Sequence, residues 1–385
     1  MDAAQTTRHL VLDLPFDAEA ILAGLRPWVE CESPTFDAAA VNRMMELAAR
    51  EMALLGARIE RIPGRLGFGD CIRARFPHEA AETTPGILVL AHLDTVHPVG
   101  TLAKLSWRRE GGLVFGPGVF DMKGGTYLAV EAMRQMLRAG MATKLPVTFL
   151  LTSDEEVGSP STRDLIEAEA ARAKFVLVPE PARPDGGVVT GRYAIARFNL
   201  RTTGRPSHAG STLAEGRSAI REMCRQVLAI EAMTGEDCTF SAGVIHGGQW
   251  VNCVATHCDL AVLSMAKRQA DLDAGVERML ALQSSSPDVM LEVRRGVTRP
   301  VWEADAQGMA LYAHARGLAQ AIGFDINSQS SGGGSDGNFT GAMGIPTLDG
   351  LGIGGAGAHT LNEQVTVGSL VPRAKLLAGL FATLA

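Results

Sequence analysis

Ile87 to His97 reads I-L-V-L-A-H-L-D-T-V-H, and this stretch decides the fold that the sequence predicts. Five apolar residues run without a break and stop at His92, with Asp94 two places further on. Such a run is typical of a strand buried on both faces, and open α/β sheets hold their ligands at the carboxyl ends of such strands. Side chains alternate along a strand, so His92 and Asp94 are expected to leave it on the same side. A carboxylate that orients an imidazole is typical of a metal site, although a hydrogen-bonded pair at a strand end would use the same two residues.

The composition indicates an ordinary globular protein of more than one domain. A chain of 385 residues suggests two or three domains, and 46% hydrophobic with 20% charged residues is typical of the soluble class. The formal net charge of -6, without a basic stripe, argues against a nucleic-acid partner. Neither a membrane span nor a secretory signal is expected, because no window approaches about eighteen uninterrupted apolar residues and residues 1–30 lack an apolar core. Six scattered cysteines do not indicate a disulfide framework, so the cytoplasm is the expected location.

Apolar strands alternate with helical segments around the opening stretch. Residues 147–152 are predicted to be a strand that runs into Ser153-Asp154-Glu155-Glu156, and residues 175–178 a strand that runs into Pro179-Glu180-Pro181. Helical spacing follows each of the first two strands, at 126–139 and at 162–173. This alternation predicts an α/β domain with a mostly parallel sheet covered on both faces.

The pattern changes near Gly191. From there to Pro300 it reads strand, helix, strand, strand, helix, strand, which is typical of a small ferredoxin-like β-α-β-β-α-β domain. Helix and a short strand return afterwards. The sequence therefore predicts an α/β domain made of residues 1–190 and 302–385, with residues 191–301 inserted as a second domain.

Acidic residues and histidines collect at the predicted strand ends and loops. They are His92, Asp94, Asp121, Glu155, Glu156, Glu180 and His359. Singly, each acid is more typical of a solvated surface, but the mixed set of imidazole nitrogens and carboxylate oxygens suits zinc or a similar divalent ion. The candidates exceed the ligands of one tetrahedral ion, so two ions that share the short Asp121 carboxylate are the better interpretation. Adjacent glutamates point in different directions, so one of Glu155 and Glu156 can ligate while the other acts as a general base.

Six motifs carry a resemblance to a known family. In chain order they are H-L-D-T-V, G-P-G-V-F-D-M-K-G-G, T-S-D-E-E-V-G-S, P-E-P, S-H-A-G and G-A-H-T, from His92 to His359. This series resembles the co-catalytic zinc family of bacterial glutamate carboxypeptidases, acetylornithine deacetylases and succinyl-diaminopimelate desuccinylases. The glutamate carboxypeptidases look most similar, because S-T-R-D-L-I-E and the R-P after the inserted domain also match.

The resemblance implies a metal centre of two zinc ions in the α/β domain, with cobalt or manganese as possible substitutes. His92 and Glu180 would hold one zinc, Glu156 and His359 the other, and Asp121 would bridge them. Asp94 would orient His92, and Glu155 would be the general base that takes a proton from the bridging water.

The resemblance also implies that the inserted domain is a lid through which two chains form a homodimer. His208 would reach across the dimer interface to stabilise the oxyanion in the partner's site, and Asn252 would contact substrate nearby. Arg299, in T-R-P, matches an arginine that binds a substrate carboxylate. A second such arginine of the glutamate carboxypeptidases is replaced here by Met265. Lys267 and Arg268, just beyond it, are alternative cations for that role, although exposed charges at a strand end are the more typical interpretation.

Together with these residues, the resemblance implies a dizinc hydrolase that cleaves an amide or peptide bond next to a carboxylate-bearing residue, in a small molecule or a short peptide. Met265 weakens the expectation that the residue is glutamate. The alternative is an N-acyl-amino-acid deacylase of the acetylornithine deacetylase type, which uses the same chemistry with a different pocket.

Other motifs favour weaker interpretations. Ser335, Asp349 and His359 follow the order of an α/β-hydrolase triad, but the segment before Ser335 is polar and glycine-rich rather than a buried strand, so its glycines are expected to allow close backbone approach to substrate. The glycines at 350–355 lack the β-α-β context of a dinucleotide site.

A zinc site from His246, Cys253, His257 and Cys258 is disfavoured because neighbouring strand residues face opposite ways. A non-catalytic binding protein that kept the fold would be expected to have lost a ligand or the base, and all seven positions are filled.

Overall fold

The computed structural model describes residues 11–80 and 84–385. They divide into two compact units. The large unit contains the chain up to Gly191, Glu303–Ser331 and Ser335–Ala385, and the small unit contains Arg192–Trp302 with Gly332–Gly334. Gly332–Gly334 is thus a contribution of a distant loop to the small unit.

The helices and strands are numbered in chain order. The helices are α1 (Ala18–Glu30), α2 (Ala38–Leu54), α3 (Gly124–Arg138), α4 (Arg163–Ala170), α5 (Ala219–Glu231), α6 (Gln269–Leu280), α7 (Ala306–Ile322), α8 (Gly337–Ala342) and α9 (Val367–Thr383). The strands are β1 (Arg58–Ile62), β2 (Cys71–Arg75), β3 (Gly86–His92), β4 (Arg108–Glu110), β5 (Leu113–Phe115), β6 (Val147–Thr152), β7 (Ala173–Leu177), β8 (Val188–Arg192), β9 (Ala194–Thr203), β10 (Cys238–Gly247), β11 (His257–Ala266), β12 (Met290–Arg299), β13 (Ser328–Ser331), β14 (Thr347–Leu348), β15 (Gly355–Ala356) and β16 (Gln364–Thr366).

Strand β3, which contains the opening stretch, lies inside the main sheet of the large unit. Its odd-numbered residues (Ile87, Val89, Ala91) belong to one hydrophobic core and its even-numbered residues (Leu88, Leu90) to another. Both faces of the strand are therefore covered, which explains why its apolar run is unbroken rather than alternating.

The main sheet has the order β1-β2-β6-β3-β7-β14. Strands β6, β3, β7 and β14 are parallel, whereas β1 pairs antiparallel with β2, and β2 pairs antiparallel with β6. The sheet is therefore mixed: its four parallel strands agree with the prediction of a mostly parallel sheet, and β1 and β2 add an antiparallel edge. The short turn between β1 and β2 forces this pair to be antiparallel, since a parallel pair needs a long crossover.

The carboxyl ends of the parallel strands bring acidic segments together. Strand β3 ends at His92, β6 is followed by Glu155 and Glu156, and β7 is followed by Glu180. Parallel neighbours end at the same edge of a sheet, so these side chains meet there.

A second sheet of the large unit has the order β15-β16-β5-β4. Strand β16 pairs with β5, and the backbone N–H of Gly116 donates to the carbonyl of Glu363. This pairing places the segment that follows His359 beside the loop that leads from β5 to Asp121.

The small unit has its own sheet and its own core. Its elements follow the order β9-α5-β10-β11-α6-β12, and its antiparallel sheet has the order β10-β11-β9-β12. Phe198 and Leu200 of β9 pack in a core with Met223 of α5 and with Leu272 and Met279 of α6. One face of the sheet is therefore covered by helices.

Within the described residues, no helix combines the length and the apolar character that crossing a membrane requires.

Candidate metal centre

His92 is a buried imidazole whose two nitrogens have different surroundings. Nδ1 lies 3.0 Å from the backbone oxygen of Asp94 and 3.3 Å from its Oδ1. Both are acceptors, so the proton of a neutral ring belongs on Nδ1. Nε2 then directs its lone pair towards Asp121 Oδ1 at 3.4 Å and Glu180 Oε1 at 3.6 Å. This is how an imidazole is prepared to bind a metal.

His359 is the second imidazole of the cluster, and about half of its side chain is exposed. Its φ of 63° is left-handed, a conformation that few residues other than glycine and asparagine adopt. Nε2 lies 3.0 Å from Glu156 Oε2 and 3.2 Å from Asp121 Oδ2.

Asp121 lies between the two imidazoles and directs one carboxylate oxygen at each. Two groups of potential ligands result, and both contain Asp121: the first is His92, Asp121 and Glu180, and the second is Asp121, Glu156 and His359. Within each group the candidate ligand atoms lie within 4.8 Å of one another, and no other group of this kind occurs in the part of the chain that the structure describes.

Asp94 holds the surroundings of His92 in place. It accepts a hydrogen bond from Thr35 Oγ1 at 2.8 Å and contacts the backbone N–H groups of Glu155 and Glu156 at 3.3 Å. Glu155 belongs to neither ligand group, although its Oε2 lies 3.8 Å from His92 Nε2. Asp94 therefore links the orientation of His92 to the position of the two glutamates.

The side chains around Asp121 carry a strongly negative charge, and this charge favours the protonated forms of the nearby groups. Hydrogen bonds with Asp121 and Glu156 raise the pKa of His359 to about 11. Burial acts to lower the pKa of His92, but its contacts with Asp121 and Asp94 outweigh burial and hold that pKa well above its usual range. Burial raises the pKa of Glu180 well above that of an exposed glutamate, and the charge of Asp121 adds to this rise. Protons thus supply the positive charge that the carboxylates require.

The side chains fit divalent cations. His92 Nε2 and Glu156 Oε1 are buried and have no hydrogen-bond partner within the described residues. Leaving such atoms unpaired is costly, and a cation bound between nitrogen and oxygen donors would satisfy both. The donor set is the imidazole and carboxylate mixture that zinc accepts.

His208 and Asn252 are brought together within the small unit. The backbone N–H of Ala209 donates to the carbonyl of Asn252 at 2.9 Å. The Nδ1 of the exposed His208 accepts from the backbone N–H groups of Gly210 and Ser211, at 3.1 and 3.2 Å. The proton of the neutral ring must therefore be on Nε2, which makes that atom a hydrogen-bond donor.

Arg299 and Met265 form a cross-strand row with Ile195. Ile195 of β9 pairs with Met265 of β11 on one side and with Arg299 of β12 on the other. Opposite residues in antiparallel strands share a face, so the buried guanidinium lies in one row with two apolar side chains. Gly334 packs against this row, since a Cβ there would lie 2.7 Å from Ile195 and 2.9 Å from Arg299.

The two cations beyond Met265 have other contacts. Lys267 Nζ lies 5.9 Å from the centre of the Tyr193 ring, and Arg268 forms a double hydrogen bond with Asp271 at 2.7 and 2.9 Å. Arg268 is thereby paired with a carboxylate of its own chain rather than substituting for the missing arginine.

The structure disfavours a serine-hydrolase triad. Ser335 is buried and donates to Asp349 at 2.6 Å, but the imidazole of His359 faces Asp121 and Glu156. His246, Cys253, His257 and Cys258 form no ligand group within the described residues.

Sequence reasoning missed Thr35, His97 and Glu363. Thr35 binds Asp94, and the buried His97 and Glu363 pair at 2.6 Å beside the loop of Asp121. The only signal for Glu363 was an acidic residue four places after His359. Nothing in the sequence distinguished Thr35 from other threonines.

Comparison with known proteins places the chain in a family. Residues 88–383 match the model of peptidase family M20/M25/M40. Carboxypeptidase G2 from Pseudomonas sp. (strain RS-16) is 29% identical over 92% of this chain and 86% of its own. A succinyl-diaminopimelate desuccinylase from Acinetobacter baylyi is 25% identical over 76% of this chain and 81% of its own.

Solved structures share the fold. A tripeptidase from Staphylococcus aureus superposes with a TM-score of 0.75 and 21% identity over 95% of this chain and 98% of its own. The M20 family metallo-carboxypeptidase Sso-CP2 from Sulfolobus solfataricus has a TM-score of 0.75 and 14% identity over 94% of this chain and 99% of its own. The chain therefore belongs to peptidase family M20/M25/M40 and is a carboxypeptidase-like hydrolase of that family.

Proposed function

We propose that this protein is a dizinc hydrolase that cleaves an amide or peptide bond next to a carboxylate-bearing residue. The observation that carries the proposal is Asp121, whose two oxygens lie 3.4 and 3.2 Å from the imidazoles of His92 and His359. A carboxylate in this arrangement suits a bridge between two cations. The names of two relatives, carboxypeptidase G2 and a succinyl-diaminopimelate desuccinylase, support a hydrolysis of this kind.

The proposed ligands are the two groups around Asp121. His92 and Glu180 would hold one zinc, Glu156 and His359 the other, and Asp121 would bridge them; cobalt or manganese are possible substitutes. When bound, such a pair supplies Lewis acidity at the scissile carbonyl and lowers the pKa of water.

Glu155 is the proposed general base. It would accept the proton of the attacking water and return it to the nitrogen of the leaving amine. Its backbone contact with Asp94 and the 3.8 Å distance from its Oε2 to His92 Nε2 support a carboxylate held beside the reacting atoms. Asp94 would act through His92, by keeping the proton on Nδ1.

The small unit is the proposed ferredoxin-like lid, and it would also join two chains into a homodimer. Its two sets of proposed substrate groups lie at opposite ends of its sheet. Ile195, in register with Arg299, is the second residue of β9, and His208 follows the far end of that strand. The eight steps along the strand from Ile195 to Thr203 span about 26 Å, which is too far for both sets to serve one amide bond. We therefore propose that His208 and Asn252 act in the partner's site.

Strand β10 is the edge that such a dimer would use. It ends one side of the small-unit sheet, and its Val244 and Ile245 are exposed, as are the nearby Trp250 and Val251. An exposed apolar sheet edge is commonly covered by another strand.

Replacing His208 by alanine is expected to lower kcat/KM by about 10²–10³-fold, because an oxyanion donor acts on charge that develops in the transition state. Steady-state kinetics measure the loss, and sedimentation velocity checks that the oligomeric state is unchanged. An unchanged kcat/KM would remove His208 from the mechanism.

Subunit mixing tests whether His208 acts across the interface. We would mix the His208→Ala chain with a Glu155→Gln chain, each inactive alone. Random pairing would then restore about a quarter of wild-type activity, because half of the dimers would carry one intact site. No restoration would show that Glu155 and His208 of one chain serve the same site.

A hydrolysis panel with the zinc-loaded protein tests the proposed reaction. The panel pairs N-acyl-glutamates, folate-like conjugates, N-acetyl amino acids and short dipeptides with the same compounds amidated at the terminal carboxylate. Arg299 is proposed to bind that carboxylate, so amidation is expected to reduce kcat/KM by about tenfold or more. Equal rates on free and amidated compounds would contradict the proposal.

Met265 supports the alternative substrate class, the N-acyl amino acids. The row beside Arg299 is apolar, which suits a leaving residue with one carboxylate better than glutamate with two. Preference for N-acetyl amino acids in the panel would therefore identify an N-acyl-amino-acid deacylase.

We propose the cytoplasm as the location. All six cysteines are free thiols, which is typical of a reducing compartment.

A further inference from the structure

Glu363 is a buried acid that no metal or substrate role explains. Only 1% of the residue is exposed. Its Oε1 accepts from the backbone N–H groups of Phe120 at 2.8 Å and Asp121 at 3.0 Å. Its Oε2 accepts from the N–H of Gly118 at 2.8 Å and lies 2.6 Å from Nε2 of His97.

The loop that presents Asp121 needs such an acceptor. Asp121 has φ -116° and ψ 100°, and Met122 has φ -126° and ψ 27°, so this segment is not a regular helix. Its N–H groups therefore cannot all bond to preceding carbonyls, and buried donors without a partner are costly. One carboxylate satisfies three of them at once. The left-handed Gly118, with φ 69°, turns the chain so that these N–H groups converge on it.

Asp121 is consequently held at both ends. Its backbone N–H is bound by Glu363, and its carboxylate oxygens face His92 and His359. A shift of the loop would move both oxygens together.

The same short segment carries Glu363 and His359. The segment is internally bonded: the N–H of Thr360 donates to Gly357, and the N–H of Glu363 donates to Thr360, at 3.1 and 3.3 Å. Three residues thus separate one proposed ligand from the group that positions another.

His97 extends this link to the strand that provides His92. It is 6% exposed and lies three residues after Asp94. Its contact with Glu363 Oε2 joins the segment after β3 to the Asp121 loop and to the His359 segment.

We propose that Glu363, together with His97, is a positioning pair that holds the Asp121 loop so that its carboxylate can bridge two cations. The inference rests on the proposed function, since it concerns the same bridge. Neither residue is a proposed ligand.

The primary test replaces Glu363 by glutamine, which keeps the size but turns an amide donor towards backbone donors. We expect cation affinity to fall by about 10–100-fold, the usual loss when the support of a ligand is removed. Titration of metal-free protein with cobalt, followed by its visible absorption and by calorimetry, measures affinity and stoichiometry. The absorption of the bound cobalt is expected to change, and kcat to fall more than KM rises.

Glu222 provides a matched control. It is equally buried, at 1%, and its carboxylate accepts from Gln226, from the backbone and hydroxyl of Ser285 and from Ser286, all within the small unit. Glu222→Gln should lower the melting temperature without changing cobalt absorption or affinity. The comparison separates general destabilisation from loss of positioning.

His97 keeps the inference testable if Glu363→Gln does not fold. His97→Gln retains a donor for Glu363 and is expected to preserve cobalt affinity better than His97→Ala. Wild-type affinity and absorption in Glu363→Gln, or in His97→Ala should the first variant not fold, would overturn the positioning role. Failure of the wild-type protein itself to bind cobalt would instead contradict the proposed function.

Discussion

Replacing Glu155 by glutamine is expected to lower kcat by about 10²–10⁴-fold while the metals stay bound. Glutamine has the shape of glutamate but cannot accept the proton of the attacking water. Glu155 lies outside both ligand groups, so its neutralisation should leave the cation donors in place. The contact between its backbone N–H and Asp94 does not depend on the side chain and should persist.

Glu156→Gln is the matched control for this prediction. The adjacent residue has the same chemistry, but its Oε2 lies 3.0 Å from His359 Nε2 within a ligand group. We expect this variant to lose a cation and then activity, in contrast to Glu155→Gln. Metal analysis by emission spectrometry beside single-turnover kinetics distinguishes the two. A Glu155→Gln protein with its full rate would show that another group takes the proton.

Chelation is expected to abolish hydrolysis, and added zinc, cobalt or manganese to restore it. The carboxylates and imidazoles around Asp121 provide the only ligand groups found within the described residues. Serine-directed reagents should have little effect, because Ser335 is buried and bonded to Asp349 at 2.6 Å. Activity that survives exhaustive dialysis against a strong chelator would contradict a metal-dependent reaction.

The metal-free protein is also expected to bind the added metal ion more tightly as the pH rises. The pKa of His359 in the metal-free protein is raised to about 11 by Asp121 and Glu156, so at neutral pH a cation must displace its proton. Raising the pH removes this competitor and increases the apparent affinity. Calorimetry in buffers of different ionisation enthalpy would measure the released protons.

Local patterns predicted the part of the structure that follows from burial and chain direction. The unbroken run before His92 indicated a strand covered on both faces, and the two separate cores around β3 confirm it. Acids directly after parallel strands were expected to meet, and the structure brings Glu156 and Glu180 into the two groups around Asp121.

Features that depend on contacts between distant parts of the chain could not be predicted from local sequence patterns. The antiparallel pairing of β2 with β6, which joins the β1–β2 edge to the parallel strands, is a long-range contact that no local period encodes. The contact of His97 with Glu363 joins residues 266 positions apart, and Thr35 reaches Asp94 from a loop of otherwise ordinary composition. The row of Met265, Ile195 and Arg299 likewise depends on strand register rather than on a motif.

The number of residues between His359 and Glu363 is fixed by the contacts that both residues make with Asp121. Most surface loops tolerate insertions and deletions, because their ends are held by elements that do not depend on loop length. Here an insertion or deletion of one residue would prevent the two contacts from forming together. They are the contact of the His359 imidazole with the Asp121 carboxylate and the hydrogen bond from the Asp121 backbone to Glu363. Engineering that alters loop lengths to change substrate preference should therefore leave this interval intact and work on the chain outside it.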